Sequence, residues 1–203
     1  MQAVDVLKSE HDLILIVLDA LEIMAGKAES GASLDPEDAR LAVAFFRGFT
    51  DACHHGKEEG YLFPALAPHG LPADRGPVAV MLSEHEQGRA DVKALDASIT
   101  ALEASDPGAD KRFAEAARTY VELLRAHIAK ENEVLFPMAE RLLSTEEAGA
   151  LMAAFVKVEE EEMGEGVHEQ FAGIVDTLAA RYGLEAAAHE HSHAQGQTCN
   201  HQG

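Results

Sequence analysis

The stretch His127-Ile-Ala-Lys-Glu131-Asn-Glu-Val-Leu135-Phe136-Pro137 decides the fold, because an earlier stretch repeats it: His54-His-Gly-Lys-Glu58-Glu-Gly-Tyr-Leu62-Phe63-Pro64. Both read His-x3-Glu-x3-Leu-Phe-Pro. On a helix, residues four apart stand one turn above each other on the same face. An imidazole and a carboxylate presented together, twice, make a ligand set for a pair of transition-metal ions.

Outward from these blocks the chain reads as helices. Residues 2–27 form the first, where Val4, Leu7, His11, Ile14, Leu18 and Leu21 recur at steps of three and four. A Gly- and Ser-rich loop from Glu29 to Leu34 follows, and Asp35-Pro36 is a helix start. The second helix is predicted to reach about Tyr61, with Val43, Phe46, Thr50, His54 and Glu58 in one row. Pro64, Pro68, Gly70 and Pro72 then read as its end and a connector. Gly76-Pro77 opens a third helix with Met81, His85, Gly88, Val92, Leu95 and Ile99 in its stripe, broken at Asp106-Pro107-Gly108. A fourth carries Phe113, Tyr120, Leu124, His127, Glu131, Val134 and Met138, and Pro137 is expected to kink or shorten its end. Ser144 to Glu147 reads as the cap of a further helical region containing Phe155, Phe171, Ile174 and Leu178. The expected fold is all-α: an antiparallel up-down four-helix bundle over residues 1–142, a C-terminal helical extension over 143–184, and a disordered His-rich tail over 185–203.

Composition narrows the function. Of 203 residues 47% are apolar, but aromatics are only 5% and Trp is absent, which suits a helical core of Leu, Val, Ile and Ala. The net charge of −20 argues against nucleic acid or an anionic membrane as partner, since phosphates need clustered cations. Cys53 and Cys199 imply no disulfide framework, and a cytoplasmic location is expected, with no leader signal and no membrane-length apolar run.

Each main helix sets a polar group into its apolar row: His11, then His54 with Glu58, then His85, then His127 with Glu131. Burying such groups without partners is costly. Convergence on shared cations removes the cost, leaving carboxylates ionised and imidazoles neutral. The mixture of nitrogen and oxygen donors lacks the thiolates of structural zinc and is too nitrogen-rich for calcium or magnesium; it suits iron or manganese, with the two Glu bridging a metal pair.

Together with Glu10-His11-Asp12 and Ser83-Glu84-His85, the doubled block resembles the hemerythrin-like, HHE cation-binding family over about residues 5–140. The resemblance implies a four-helix bundle holding two non-haem iron ions, with manganese as second choice. Its ligands would be His11, His54, Glu58, His85, His127 and Glu131. His55 and Glu59 are also four apart; the pair His54 and Glu58 is preferred because it stands before Leu62 as His127 and Glu131 stand before Leu135. His55 and Glu59 are then expected behind the ligands or in solvent. Oxygen-carrying members have a fifth His one turn after the third-helix ligand, where this chain has Arg89. That leaves an open position or a ligand from elsewhere, with His168, Glu162 and Glu169 as candidates. The implied function is binding or sensing of oxygen, nitric oxide or peroxide. The alternatives are an enzyme turning over peroxide or nitric oxide, or an iron-handling protein.

Secondary expectations complete the reading. Tyr61 and Tyr120 stand seven residues from a ligand and can face the site; Asp12 and Asp51 can orient imidazoles. Leu7, Ile14, Leu124 and Val134 are candidate dry walls, and Cys53 is packing. His189, His191, His193, Cys199 and His201 form a tail able to hold a divalent ion loosely.

Overall fold

A computed structural model describes residues 2–158 and 167–185, and all regular structure among them is helical. Helix α1 spans Gln2–Ser30. Helix α2 begins as Pro36–Phe45, with the Asp35 side chain accepting from the Glu37 amide. It then widens into π-helical turns over Phe46–His55 and Glu58–Leu62 and closes as Phe63–Leu66. Helix α3 spans Gly76–Glu103. Helix α4 runs as Ala109–Lys130, a π-helical turn Glu131–Leu135, and Phe136–Leu142. Helices α5, Thr145–Lys157, and α6, Val167–Tyr182, follow. No helix among the described residues is long and apolar enough to cross a membrane.

Two expectations about prolines are corrected. Helix α2 does not end at Pro64, and Pro137 does not shorten α4, which continues to Leu142. Each proline sits at the start of an α-helical turn that follows a π-helical one, where the hydrogen-bond ladder is being reset and a missing N–H is tolerated. At both resets the amide of the preceding Phe reaches back five residues, from Phe63 to the Glu58 carbonyl and from Phe136 to the Glu131 carbonyl.

The apolar stripes bury into two clusters. One gathers Ile14, Phe46, Phe49, Leu95, Phe113 and Leu124; the other gathers Val4, Leu7, Leu62, Met81, Leu135 and Phe136. On each main helix the polar positions fall between the two: His11 between Leu7 and Ile14, His54 and Glu58 between Phe49 and Leu62, His127 and Glu131 between Leu124 and Leu135. The C-terminal helices complete both clusters. Leu151 and Phe155 of α5 join one, and Phe171, Ile174, Val175 and Leu178 of α6 join the other. Phe171 lies so close to α2 that a Cβ at Gly48 would stand 2.2 Å from its Cζ. Arg181 pairs with Asp38, and the Tyr182 hydroxyl donates to Asp38 at 2.8 Å. The tail from 186 on, Glu162 and the His168 side chain lie outside the described residues.

Candidate metal centre

The polar layer between the two clusters holds seven groups, all buried: His11, His54, His55, Glu58, His85, His127 and Glu131. Four imidazoles are oriented through Nδ1. His54 donates to Glu10 Oε2 at 2.8 Å and His127 to Glu84 Oε2 at 3.0 Å. His11 donates to Asn132 Oδ1 at 3.0 Å and His85 to Glu59 Oε1 at 2.7 Å. A carboxylate only accepts, so the proton of its histidine stays on Nδ1 and the lone pair is left on Nε2. These lone pairs are aimed at each other: His11 Nε2 to His54 Nε2 is 3.0 Å, and His85 Nε2 to His127 Nε2 is 3.2 Å. Two lone pairs head-on repel unless something positive lies between them.

The carboxylates join the two pairs. Glu131 places Oε2 3.2 Å from His11 Nε2 and Oε1 3.3 Å from His127 Nε2. Glu58 places Oε1 3.8 Å from His54 Nε2 and Oε2 3.4 Å from His85 Nε2. None of these four oxygens receives a hydrogen bond, although all are buried. A buried carboxylate without donors is costly. A metal cation held in this layer would satisfy these four oxygens and the imidazole nitrogens that face them. The nitrogen and oxygen atoms of the layer fall into two groups that could each hold a metal ion: His11, His54, Glu58 and Glu131, and His55, Glu58, His85 and His127.

Of the two places expected for His55, behind the ligands or in solvent, the structure excludes solvent. It is 4% exposed, stacks on His85 with ring centroids 3.8 Å apart, and neither ring nitrogen has a hydrogen-bond partner. The π-helical winding of Phe46–His55 is the cause, because i→i+5 bonding turns residues 54 and 55 both inward. A reading by α-helical period admits only one of them. Glu59 is half-buried behind His85 as expected.

The repeat extends well beyond the ligands. Lys57 pairs with Glu10 as Lys130 pairs with Glu84. Phe136 stacks on His11 at 5.5 Å between ring centroids, and Phe63 stacks on His85 at 5.8 Å. The Leu-Phe-Pro ending of each block therefore floors the histidine of the other half. The sequence signal for these supports was present in the Glu-His dipeptides at 10–11 and 84–85 and the Lys-Glu dipeptides at 57–58 and 130–131. The repeat breaks where Ile128 answers His55 and Asn132 answers Glu59.

Electrostatics follow the geometry. Without a metal, burial opposes charge on His85 but the Glu58 and Glu59 carboxylates lift its pKa to about 9, so a cation bound at its Nε2 would displace a proton from that nitrogen. Burial likewise opposes charge on His11, yet Glu131 raises its pKa. His54 and His55 are held neutral, well below the ordinary imidazole value, by burial. Burial works to raise Glu131, but His127 and His11 keep it below the usual value. Burial also opposes Arg89, though its bonds to Glu59 at 2.6 Å and Asp51 at 2.8 Å strengthen its charge.

Among the secondary candidates, Tyr120 is buried against Phe46 with ring centroids 4.7 Å apart, and burial pushes its hydroxyl well up. Tyr61 packs half-buried on the cluster of Leu62 and Leu66. Asp51 reaches within 3.6 Å of His55, whereas Asp12 is exposed. Leu7, Ile14 and Leu124 are buried, but Val134 is 48% exposed and is no wall: the π-helical turn before Pro137 rotates Leu135 and Phe136 inward in its place. Cys53 is buried, in keeping with packing, and Glu169 is exposed.

The chain is 27% identical to uncharacterised proteins of Mycobacterium bovis and of two strains of Mycobacterium tuberculosis, over 167 residues. The match covers 82% of this chain and 62% of theirs, so the chain spans less than two thirds of the relatives it matches. No solved structure matches it. The Hemerythrin HHE cation binding domain matches residues 2–139, which include every group of the polar layer, and the chain belongs to that family.

Proposed function

We propose that this chain is a non-haem di-iron protein that binds or senses a small ligand such as oxygen, nitric oxide or peroxide. One ion would be held by His11 and His54, the other by His55, His85 and His127, with Glu58 and Glu131 shared between them. The two metals would lie at the middle of an antiparallel four-helix bundle made of α1 to α4. The observation that carries this reading is the pairing of four Nε2 lone pairs with four donor-less carboxylate oxygens in one buried layer. His55 supplies from α2 the fifth imidazole that Arg89 cannot supply from α3.

Iron bound here would supply reversible one-electron chemistry and a position for an exchangeable ligand. The chain's own residues do the rest. Glu10, Glu84, Glu59 and Asn132 fix the tautomer and aim of the imidazoles. Leu7, Ile14, Leu124 and Phe136 exclude water from the two ends of the layer. Arg89 ties together Asp51 and Glu59, the carboxylates nearest His55 and His85.

Metal analysis of the purified chain tests the reading. Two irons per chain are expected, with strong loss in Glu58→Ala and in Glu131→Ala; folded protein that never takes up iron or manganese overturns it. A second reading, turnover of peroxide or nitric oxide, is favoured by the recess that reaches His55 and Tyr120 from the surface. Reduced protein mixed with oxygen, and separately with peroxide, separates the two. A reversible visible band marks binding; sustained oxygen evolution from peroxide marks turnover.

A further inference from the structure

Between α2 and α3 lies a recess of about 440 Å³. Its inner end is His55, and its outer end lies between Arg47 and Lys93. The recess follows the π-helical segment of α2 from Arg47 to His55. Its volume suits one small organic molecule.

Its lining is divided in character. The floor is apolar: Phe46 edge-on to Tyr120, with Val92 beside them. Gly88 adds no side chain to the lining, and a Cβ there would make only ordinary contact with the Tyr120 ring at 3.8 Å and Leu123 at 3.9 Å. The polar part is cationic in a chain of net charge −20: three of its basic side chains line this one recess against a single acid, Asp51. Asp51 is already neutralised by Arg89, which also bonds Glu59 and Glu86. Arg47 gives one nitrogen to Asp96 at 2.8 Å, and Lys93 has no ion pair among the described residues. The outer end thus holds positive charge not spent on the protein. At the inner end, His55 is buried with both ring nitrogens unpartnered.

We infer that this recess binds a small monocarboxylate with a flat or branched apolar body. The carboxylate lies at Lys93 and Arg47, and the body lies over Val92, with the buried Phe46 and Tyr120 rings beneath it and its far end toward His55. A neutral molecule of the same shape leaves the two cations unanswered. A second anionic group finds beyond them only the apolar floor and Arg89, whose charge is already bonded to Asp51, Glu59 and Glu86. The recess itself is built from α2, α3 and Tyr120; only what the ligand meets behind His55 rests on the di-iron reading. The assignment deepens that reading by naming an organic ligand class for the same centre.

Calorimetric titration of the full chain with benzoate, in iron-loaded and metal-free forms, tests this, with benzamide as the neutral isostere. Saturable one-to-one binding of benzoate is expected, with benzamide at least about tenfold weaker. Lys93→Glu and Arg47→Glu each weaken benzoate by about tenfold or more, while iron content and helicity stay at the parent level. Both side chains are at the surface, so folding is preserved. In the iron-loaded form benzoate also perturbs the visible spectrum. Equal binding of benzoate and benzamide, or benzoate binding unmoved by both charge reversals, overturns the assignment. A chain that takes no metal yet binds benzoate in this pattern sinks the di-iron reading and keeps the recess; a chain that loads two irons and ignores benzoate does the opposite.

Discussion

Glu58 and Glu131 are intolerable where they stand unless positive charge stands with them, and that makes them the residues on which the site turns. The other members of the polar layer can be graded by what supports them. His55→Ile copies the Ile128 of the other block. It is expected to lower the iron content from two toward roughly one ion per chain without loss of helicity, read by metal analysis and circular dichroism. Glu10→Gln and Glu84→Gln keep the shape of the groups that hold His54 and His127 but remove their charge. Each is expected to weaken metal binding by about 10- to 100-fold in chelator competition. At this scale the sequence was legible wherever a member of the polar layer fell on the three-and-four step of an α-helix, as His11, His85, His127 and Glu131 do. His55 was hidden because its inward turn depends on π-helical winding, which leaves no mark in apolar periodicity. Asn132 was hidden because an amide behind a ligand looks like any surface residue until the ring it supports is seen.

At the scale of elements, the π-helical turns account for most of the departures from the sequence reading. Each moves the apolar row by one position, so Leu62 and Phe63 point inward rather than Tyr61, and Leu135 and Phe136 rather than Val134. The contact of α6 with α2 has its own requirement. Gly48→Ala forces the Phe171 ring away and should cost about 1–3 kcal/mol in chemical denaturation, with Phe171→Leu relieving part of the loss. The start of α5 is a reciprocal cap in which the Ser144 hydroxyl accepts from the Glu147 amide and Glu147 accepts from the Ser144 amide. Bonds from Ser144 and then His69 hold the Glu147 carboxyl down at about 2, against 4.5 for an unperturbed group. A depressed carboxyl stabilises fully above its unfolded value and loses that contribution as pH falls through the folded one. The melting-temperature gap between the parent and Glu147→Gln should therefore be constant above pH 4.5 and close as pH drops toward 2.

For the whole molecule, a site that is costly when empty of charge is a folding element as well as a functional one. A ligand that binds only the folded state stabilises it by about 2.7 kcal/mol when present at a hundred times its dissociation constant. Stripping the metal with a chelator is expected to lower the melting temperature, and adding back iron to restore it; an unchanged transition would mean that the buried carboxylates are balanced some other way. All-helical architecture and a central polar layer were readable from four stripes that share one interruption. That α5 and α6 finish the same two apolar clusters was not, because a short amphipathic helix shows which face is buried but not against what.

The doubled block carries a further consequence, through the way its parts are traded. His11, near the start of the chain, is steadied by Asn132 and Phe136 from the second block; His85, on the far side of the connector, is steadied by Glu59 and Phe63 from the first. Glu58 and Glu131 each lean on an imidazole from the opposite side of that connector. Neither segment owns a complete pocket. A chain severed between His69 and Gly76 would leave two fragments, each holding part of the other's socket, and they would regain a finished one only by coming back together.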